Sequence, residues 1–218
     1  ELEIKAAGVR ENLKKYAGIT LVPERVVPSP LADRYRNKAQ FPVGKDGGGA
    51  FLGFYSAHSH RVVRIDDCPL LETPLVGYAR AVIDFANARG VSVYDEARHD
   101  GVLRHLYLRS FDEGVLICAV INETEKNGRA LFTPLAEQLK KDGAGAFYLN
   151  LNTKKTNVVL GEKMVPLFGG DAFHKTISGK KFVFSPDSFL QVNTAATEVL
   201  YRICGEYAGK SDVLYDLY

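Results

Sequence analysis

Three thiols, one close pair of imidazoles, and a set of cations interleaved with aromatics are the side chains of this 218-residue chain whose types and spacing could do chemistry. A cysteine acts as nucleophile or metal ligand only as the thiolate, so its surroundings decide its use. Cys118 sits inside Leu116-Ile117-Cys118-Ala119-Val120-Ile121, an apolar strand pattern, and reads as an inert core residue. Cys204 follows Ile203 on the apolar stripe of a helix and reads the same way. Cys68 follows Asp66 and Asp67, whose negative charge disfavours a thiolate. Three scattered cysteines give neither an even disulfide framework nor a paired metal spacing, which fits a reducing compartment. His58 and His60 would share one face of a strand, but no third ligand stands at a workable spacing, so a solvated pair near a loop is expected. His105, between Arg104 and Leu106, reads as a strand-surface residue, with contact to a polyanion as the other possibility.

The cations are more suggestive by position than by number. Lys and Arg total 28 against 26 Asp and Glu, a net charge of +2, so the global balance does not announce a nucleic-acid partner. Locally the picture differs. Arg34, Arg36, Lys38, Lys45, Arg61 and Arg64 fall in one stretch, opposed before Asp66 only by Asp46, with Tyr35, Phe54 and Tyr55 among them. A basic hairpin carrying aromatics suits phosphates and unstacked bases; a sheet with one solvated basic face is the alternative. Lys154 and Lys155, in Thr153-Lys154-Lys155-Thr156-Asn157, suit phosphate contacts or a plain solvated turn.

Near the end of the chain, the apolar run from Lys181 to Phe184 breaks at Ser185-Pro186, since proline restricts its predecessor and cannot continue a paired strand. Asn193 or Thr194 can cap a following helix whose apolar positions Ala196, Val199, Leu200, Ile203 and Tyr207 recur at helical spacing. A short strand is expected over residues 213–217, with Asp216 near its end. Strand, helix, then a strand ending in an acidic residue is how nucleotide sites open in doubly wound sheets, although many α/β domains share the pattern. On pattern alone, Gln191 is an amide satisfying backbone groups at a helix entrance, and Phe189 is either a core aromatic or a stacking platform.

The wording of this stretch, Phe184-Ser185-Pro186-x-x-Phe189-x-Gln191-Val192-Asn193 followed by one helix and Asp216-Leu217-Tyr218, resembles the RNA (uracil-5-)-methyltransferase family. Tyr35-Arg36-Asn37-Lys38, Gly53-Phe54-Tyr55 and Asp67-Cys68-Pro69 match that family's central RNA-facing domain in order and spacing. The resemblance implies S-adenosyl-L-methionine as cofactor, held by Gln191 and Tyr218, and RNA as partner. Ribosomal RNA, 23S in particular, is the expected substrate, with transfer RNA as the alternative. By the same resemblance the hairpin cations Arg36, Lys38, Arg61 and Arg64 face RNA and Phe189 stacks on a flipped base, with Lys154 and Lys155 as further candidate RNA contacts on their residue types alone. Carbon 5 of uracil is too weak a nucleophile to take a methyl group directly, so the reaction needs a cysteine adding at carbon 6 and a base to remove the carbon 5 proton. In the family both lie beyond the Tyr218 position, so no catalytic residue is assigned and the chain itself is expected to be inactive. Cys68 matches the fourth ligand of an iron–sulfur cluster found in many members; the other three would fall just before Glu1, so a [4Fe-4S] cluster is expected in the full-length protein only, since one thiolate cannot hold four irons.

The elements that must position these groups follow from periodicity. Residues 1–16 read as a helix ended by Gly18; residues 34–43 and 50–55 as a hairpin whose second arm runs on through 60–65; residues 69–90 as a helix with Leu71, Leu75, Ala79, Val82 and Ala86 buried. Residues 102–110 and 115–122 form a second hairpin, 131–141 a helix, 146–152 a strand, and 173–177 with 180–184 a last hairpin. The expected fold is an α+β central domain, a mixed and largely antiparallel sheet with helices on one face, joined to the start of an α/β Rossmann-like methyltransferase domain. Residues 1–33 would be a helix and connector packing on the methyltransferase domain, 34–180 the RNA-binding domain, and 181–218 the opening of the methyltransferase domain. The start of the chain lacks a signal-peptide pattern and the longest apolar run, residues 115–121, is too short to cross a bilayer, so a cytoplasmic monomer is expected. Two rivals remain: a stand-alone RNA-binding module, and a methyltransferase acting on something other than RNA.

Overall fold

A computed structural model describes residues 1–23 and 25–215. It divides into two compact units, residues 33–194 and the two flanking stretches 1–32 and 195–218. In the flanking unit, α1 (Leu2–Ala17) carries no buried residue and ends at Gly18, whose φ of 67° is the left-handed turn that lets its amide reach back to Lys14. A second helix of the flanking unit, α4 (Thr194–Ala208), begins on the last residue of the larger unit. Residues 213–215 form no strand, and the rest of the expected final strand lies outside the described residues.

The larger unit is built on a seven-stranded sheet. Its strands are β1 (Lys38–Asp46), β2 (Gly49–Tyr55), β3 (Val62–Arg64), β4 (Leu103–Phe111), β5 (Gly114–Ile121), β6 (Ala146–Leu151) and β7 (Lys163–Phe168), in the order β3-β2-β1-β4-β5-β6-β7. Every pairing is antiparallel except β5 with β6. A parallel pair needs a crossover, and α3 (Glu125–Lys141) supplies it, its start capped by the Thr124 hydroxyl on the Asn127 amide. Gly128 lets α3 lie close to the sheet: a Cβ there would stand 2.6 Å from the Ile121 side chain.

Two cores follow from strand alternation. On one face, Leu75, Ala79 and Val82 of α2 (Thr73–Ala88) and Phe132, Leu135 and Leu139 of α3 pack on Phe41, Leu106, Leu108, Ile117 and Leu149. On the other, Tyr107, Phe111, Cys118 and Tyr148 meet Phe173 and Ile177 of β8 (Phe173–Ile177), which is paired with β9 (Lys180–Phe184). The expected mixed, largely antiparallel sheet is present, with both helices contributing to one core.

Three local features differ from the expectation. The second arm of the first hairpin does not run straight on: it ends at Tyr55, turns through residues 56–59, where His58 takes a φ of 55°, and returns as β3 antiparallel to β2. The helix after Pro69 starts only at Thr73, with Pro74 in its first turn. His105 is 6% exposed rather than a surface residue. No described helix is long and apolar enough to cross a membrane.

Candidate functional site

The segment from Ser185 to Thr194 has no regular ladder of its own, and the sheet holds it by side chains instead. Tyr107 Oη donates to the Pro186 carbonyl at 3.1 Å. Arg109, 1% exposed, donates to the carbonyls of Ser188 and, at 2.9 Å, Leu190. Asn37, fully buried, accounts for the next turn: its amide nitrogen donates to Val192 O at 2.8 Å and its Nδ2 to Gln191 O at 3.0 Å and Thr194 Oγ1 at 3.1 Å. A buried guanidinium is costly unless its protons find acceptors; the carbonyls of Ser188 and Leu190 and the Tyr107 hydroxyl take its terminal N–H groups, without a carboxylate, while Nε has no partner among the described residues.

This anchoring fixes which side chains face out. Leu190 enters the second core, while Phe189 on one side of it is 81% exposed and Gln191 on the other is exposed. The Gln191 side chain makes no hydrogen bond among the described residues, so its use is not the satisfaction of local backbone groups. Phe189 is likewise not a core aromatic. Arg36 bridges to Asn193 and, exposed, donates its Nε to Lys38 O at 3.1 Å. Lys38 lies with its ammonium 5.5 Å from the centre of the Tyr107 ring, and burial, then Arg109 and Arg36, pull its pKa below the ordinary lysine value. Arg36, Lys38, Phe189 and Gln191 thus share one region of the larger unit. Tyr218 lies outside the described residues.

The remaining cations separate into committed and free. Arg64 pairs with Asp46 at 2.7 Å and lies over the Phe51 ring, and Lys154 pairs with Glu162. Such exposed pairs are weak and exchangeable. Arg61 and Lys155 have no side-chain hydrogen bond or ion pair among the described residues; Arg61 lines a cleft with Tyr55 and Glu96, and Lys155 one with Glu96 and His60.

Cys68 is half-buried against the main core, and its carbonyl accepts from Arg34 Nη1 at 3.0 Å. That arginine grips Asp67, whose carboxyl is held down at about 2 chiefly by this hydrogen bond. Among the described residues no group of three or more His, Cys, Asp or Glu is placed to hold a metal. Burial pushes the Cys118 thiol far up, in keeping with its place in the core. Of Asn37 and Arg109, the residues that position the candidate site, only Arg109 had an available signal, an arginine between Leu108 and Ser110 in the strand Leu103–Phe111.

No family model matches the chain. A protein of Clostridium tetani named as an uncharacterized RNA methyltransferase is 34% identical over 223 residues, covering all of this chain and 48% of that protein. One of the same description from Caldanaerobacter subterraneus is 33% identical over 228 residues, again covering all of this chain and 49% of the relative. The fold resembles the crystal structure of Pyrococcus abyssi tRNA (uracil-54, C5)-methyltransferase in complex with S-adenosyl-L-homocysteine, with a TM-score of 0.72 and 23% identity over 94% of this chain and 48% of that one. The chain spans about half the length of the curated relatives it matches. Along its whole length, the chain is similar in sequence to about half of each of these RNA methyltransferases.

Proposed function

We propose that the protein methylates carbon 5 of a uridine in RNA with S-adenosyl-L-methionine, and that this chain is the part that holds the RNA and presents Gln191 to the methyl donor. The observation that carries the reading is the anchored segment that turns Phe189 and Gln191 outward beside Arg36 and Lys38. An exposed aromatic next to cations is the arrangement that stacks a base while neutralising its phosphates. S-adenosyl-L-methionine supplies the methyl group when bound; the unbonded amide of Gln191 fits a hydrogen-bonding role toward it, shared with the Tyr218 position.

Cys118 is sealed in the core and Cys68 lies beside the Arg34–Asp67 pair, so neither suits addition at carbon 6, while Cys204, which reads from the sequence as a core residue, is exposed on α4 with no base placed beside it among the described residues. We assign the nucleophile and base to residues outside these 218, so the chain alone binds RNA without turnover. Ribosomal RNA is our preferred substrate, with transfer RNA the alternative, since the Pyrococcus enzyme of similar fold is a tRNA methyltransferase.

Binding of short single-stranded RNA, followed by fluorescence anisotropy across a salt series, tests this. Arg36→Ala with Lys38→Ala should weaken binding and reduce the slope of log K against log salt by roughly one to two. An unchanged affinity and slope would remove this face from the RNA interface.

A further inference from the structure

Around Tyr55 and His105 the larger unit opens into a groove. Three cavities of about 700, 500 and 420 Å³ share His60 and Glu96 and so form one continuous cleft within the larger unit. Each of the three falls in the range of a small-ligand site, roughly 300–1,000 Å³.

Its floor is built and buried. His105 and Arg104 are 6% and 4% exposed. Arg104 donates to the carbonyls of Asn152 at 2.8 Å, Lys154 at 2.9 Å and Thr156 at 3.3 Å, and its guanidinium lies 4.1 Å from the centre of the Tyr94 ring. That fixes the loop carrying Lys155 as one wall. The loop is pinned again at Gly161, whose amide and carbonyl both bond the Asn150 side chain.

Tyr55 forms the centre of the floor and is 41% exposed. Its hydroxyl donates to Glu96 Oε1 at 3.1 Å and stands 3.2 Å from His105 Nε2, while the other oxygen of Glu96 holds His60 Nδ1 at 2.8 Å. A phenol has one proton to give, so with Glu96 as acceptor the His105 Nε2 carries the proton to Tyr55. His105 Nδ1 is then a buried acceptor with no partner among the described residues. The cleft therefore combines an exposed aromatic ring, a run of fixed donors and acceptors, and two uncommitted cations, Arg61 and Lys155, on its margin.

Resting on the RNA reading above, we propose that this groove holds a second unpaired nucleotide of the RNA, distinct from the one that is methylated. Its base packs on Tyr55 within reach of Glu96 and Asn157, and its flanking phosphates meet Arg61 and Lys155. The site would fix the register of the RNA strand along the sheet, so that the Phe189 end receives the target.

The experiment is anisotropy binding of labelled single-stranded RNA by the whole chain, with fold checked by circular dichroism. Arg61→Ala with Lys155→Ala should weaken binding about tenfold at low salt and lower the salt slope by roughly one to two. Tyr55→Ala should weaken it about tenfold with the slope unchanged, because stacking releases no counterions. Tyr55→Phe keeps the ring and should retain most of the affinity, which separates lost stacking from a collapsed floor. If these variants bind as wild type while Arg36→Ala with Lys38→Ala binds weakly, the groove proposal fails and the RNA reading stands. If no variant differs, or the chain binds no RNA, both fail. Displacement of the RNA by micromolar free nucleoside monophosphate would identify a free-nucleotide site and overturn the proposal.

Discussion

At the scale of single residues, the molecule uses buried polar side chains as fasteners. Asn37, Arg104, His105 and Arg109 are all nearly inaccessible, and between them they hold the segments that line the candidate site and the groove. His105 makes this testable by pH. Burial, reinforced by Arg104 and opposed by Glu96, pushes its pKa down to about 4 from the ordinary 6.5. Between those values the unfolded chain binds a proton that the folded chain refuses, so stability rises with pH across the window and is lost as pH falls through it. The loss is on the order of 3 kcal/mol by pH 4. Urea midpoints from pH 7 to pH 4 should show this decline, and His105→Gln should flatten it. A wild-type curve as flat as that of the variant would mean that His105 is solvated. Asp67, held at about 2 by Arg34, acts in a lower window, its contribution present above about 4 and lost as pH falls toward 2.

At the scale of elements, β4 is the organising strand. Its apolar residues Leu106 and Leu108 feed the helix-side core, and Tyr107 and Arg109, on the other face, hold the segment that carries Phe189 and Gln191. Removing the guanidinium would leave the carbonyls of Ser188 and Leu190 without their partner. Arg109→Ala should therefore cost about 2–4 kcal/mol of stability, read as a lower urea midpoint. Hydrogen exchange should quicken around residues 186–192 more than in α2 or α3. Uniform quickening across the sheet and both helices would show that Arg109 acts on the whole core and not on this segment. The strands were largely legible in the sequence because alternation and the turn residues at Asp112-Glu113-Gly114 and Ser178-Gly179 mark them. The return of the chain as β3 was not, since residues 56–59 carry no proline or glycine to announce a turn. The burial of His105 was hidden too, for β4 and β5 shift register between Leu103 and His105 and local alternation misplaces residues near such an irregularity.

At the scale of the whole chain, resemblance and geometry contribute different things. The motif around Gln191 named a family that the curated relatives bear out, yet it did not say what holds that motif in place. The fastening is long-range, with Asn37 and Gln191 separated by 154 positions and Arg109 and Leu190 by 81. Partners so far apart leave no local signature, because only the folded sheet brings them together. The free and committed cations could not be sorted from sequence either: Arg64 and Arg61 look alike in the chain, and only the fold shows Asp46 beside the first. On the proposed reading, RNA lies along the sheet face opposite α2 and α3, from Phe189 to Tyr55. Photocrosslinking of 4-thiouridine-containing single-stranded RNA to the chain, mapped by mass spectrometry, tests that claim most directly. Adducts are predicted at Phe189 and around Tyr55. Adducts confined to the exposed surfaces of α2 and α3 would contradict it.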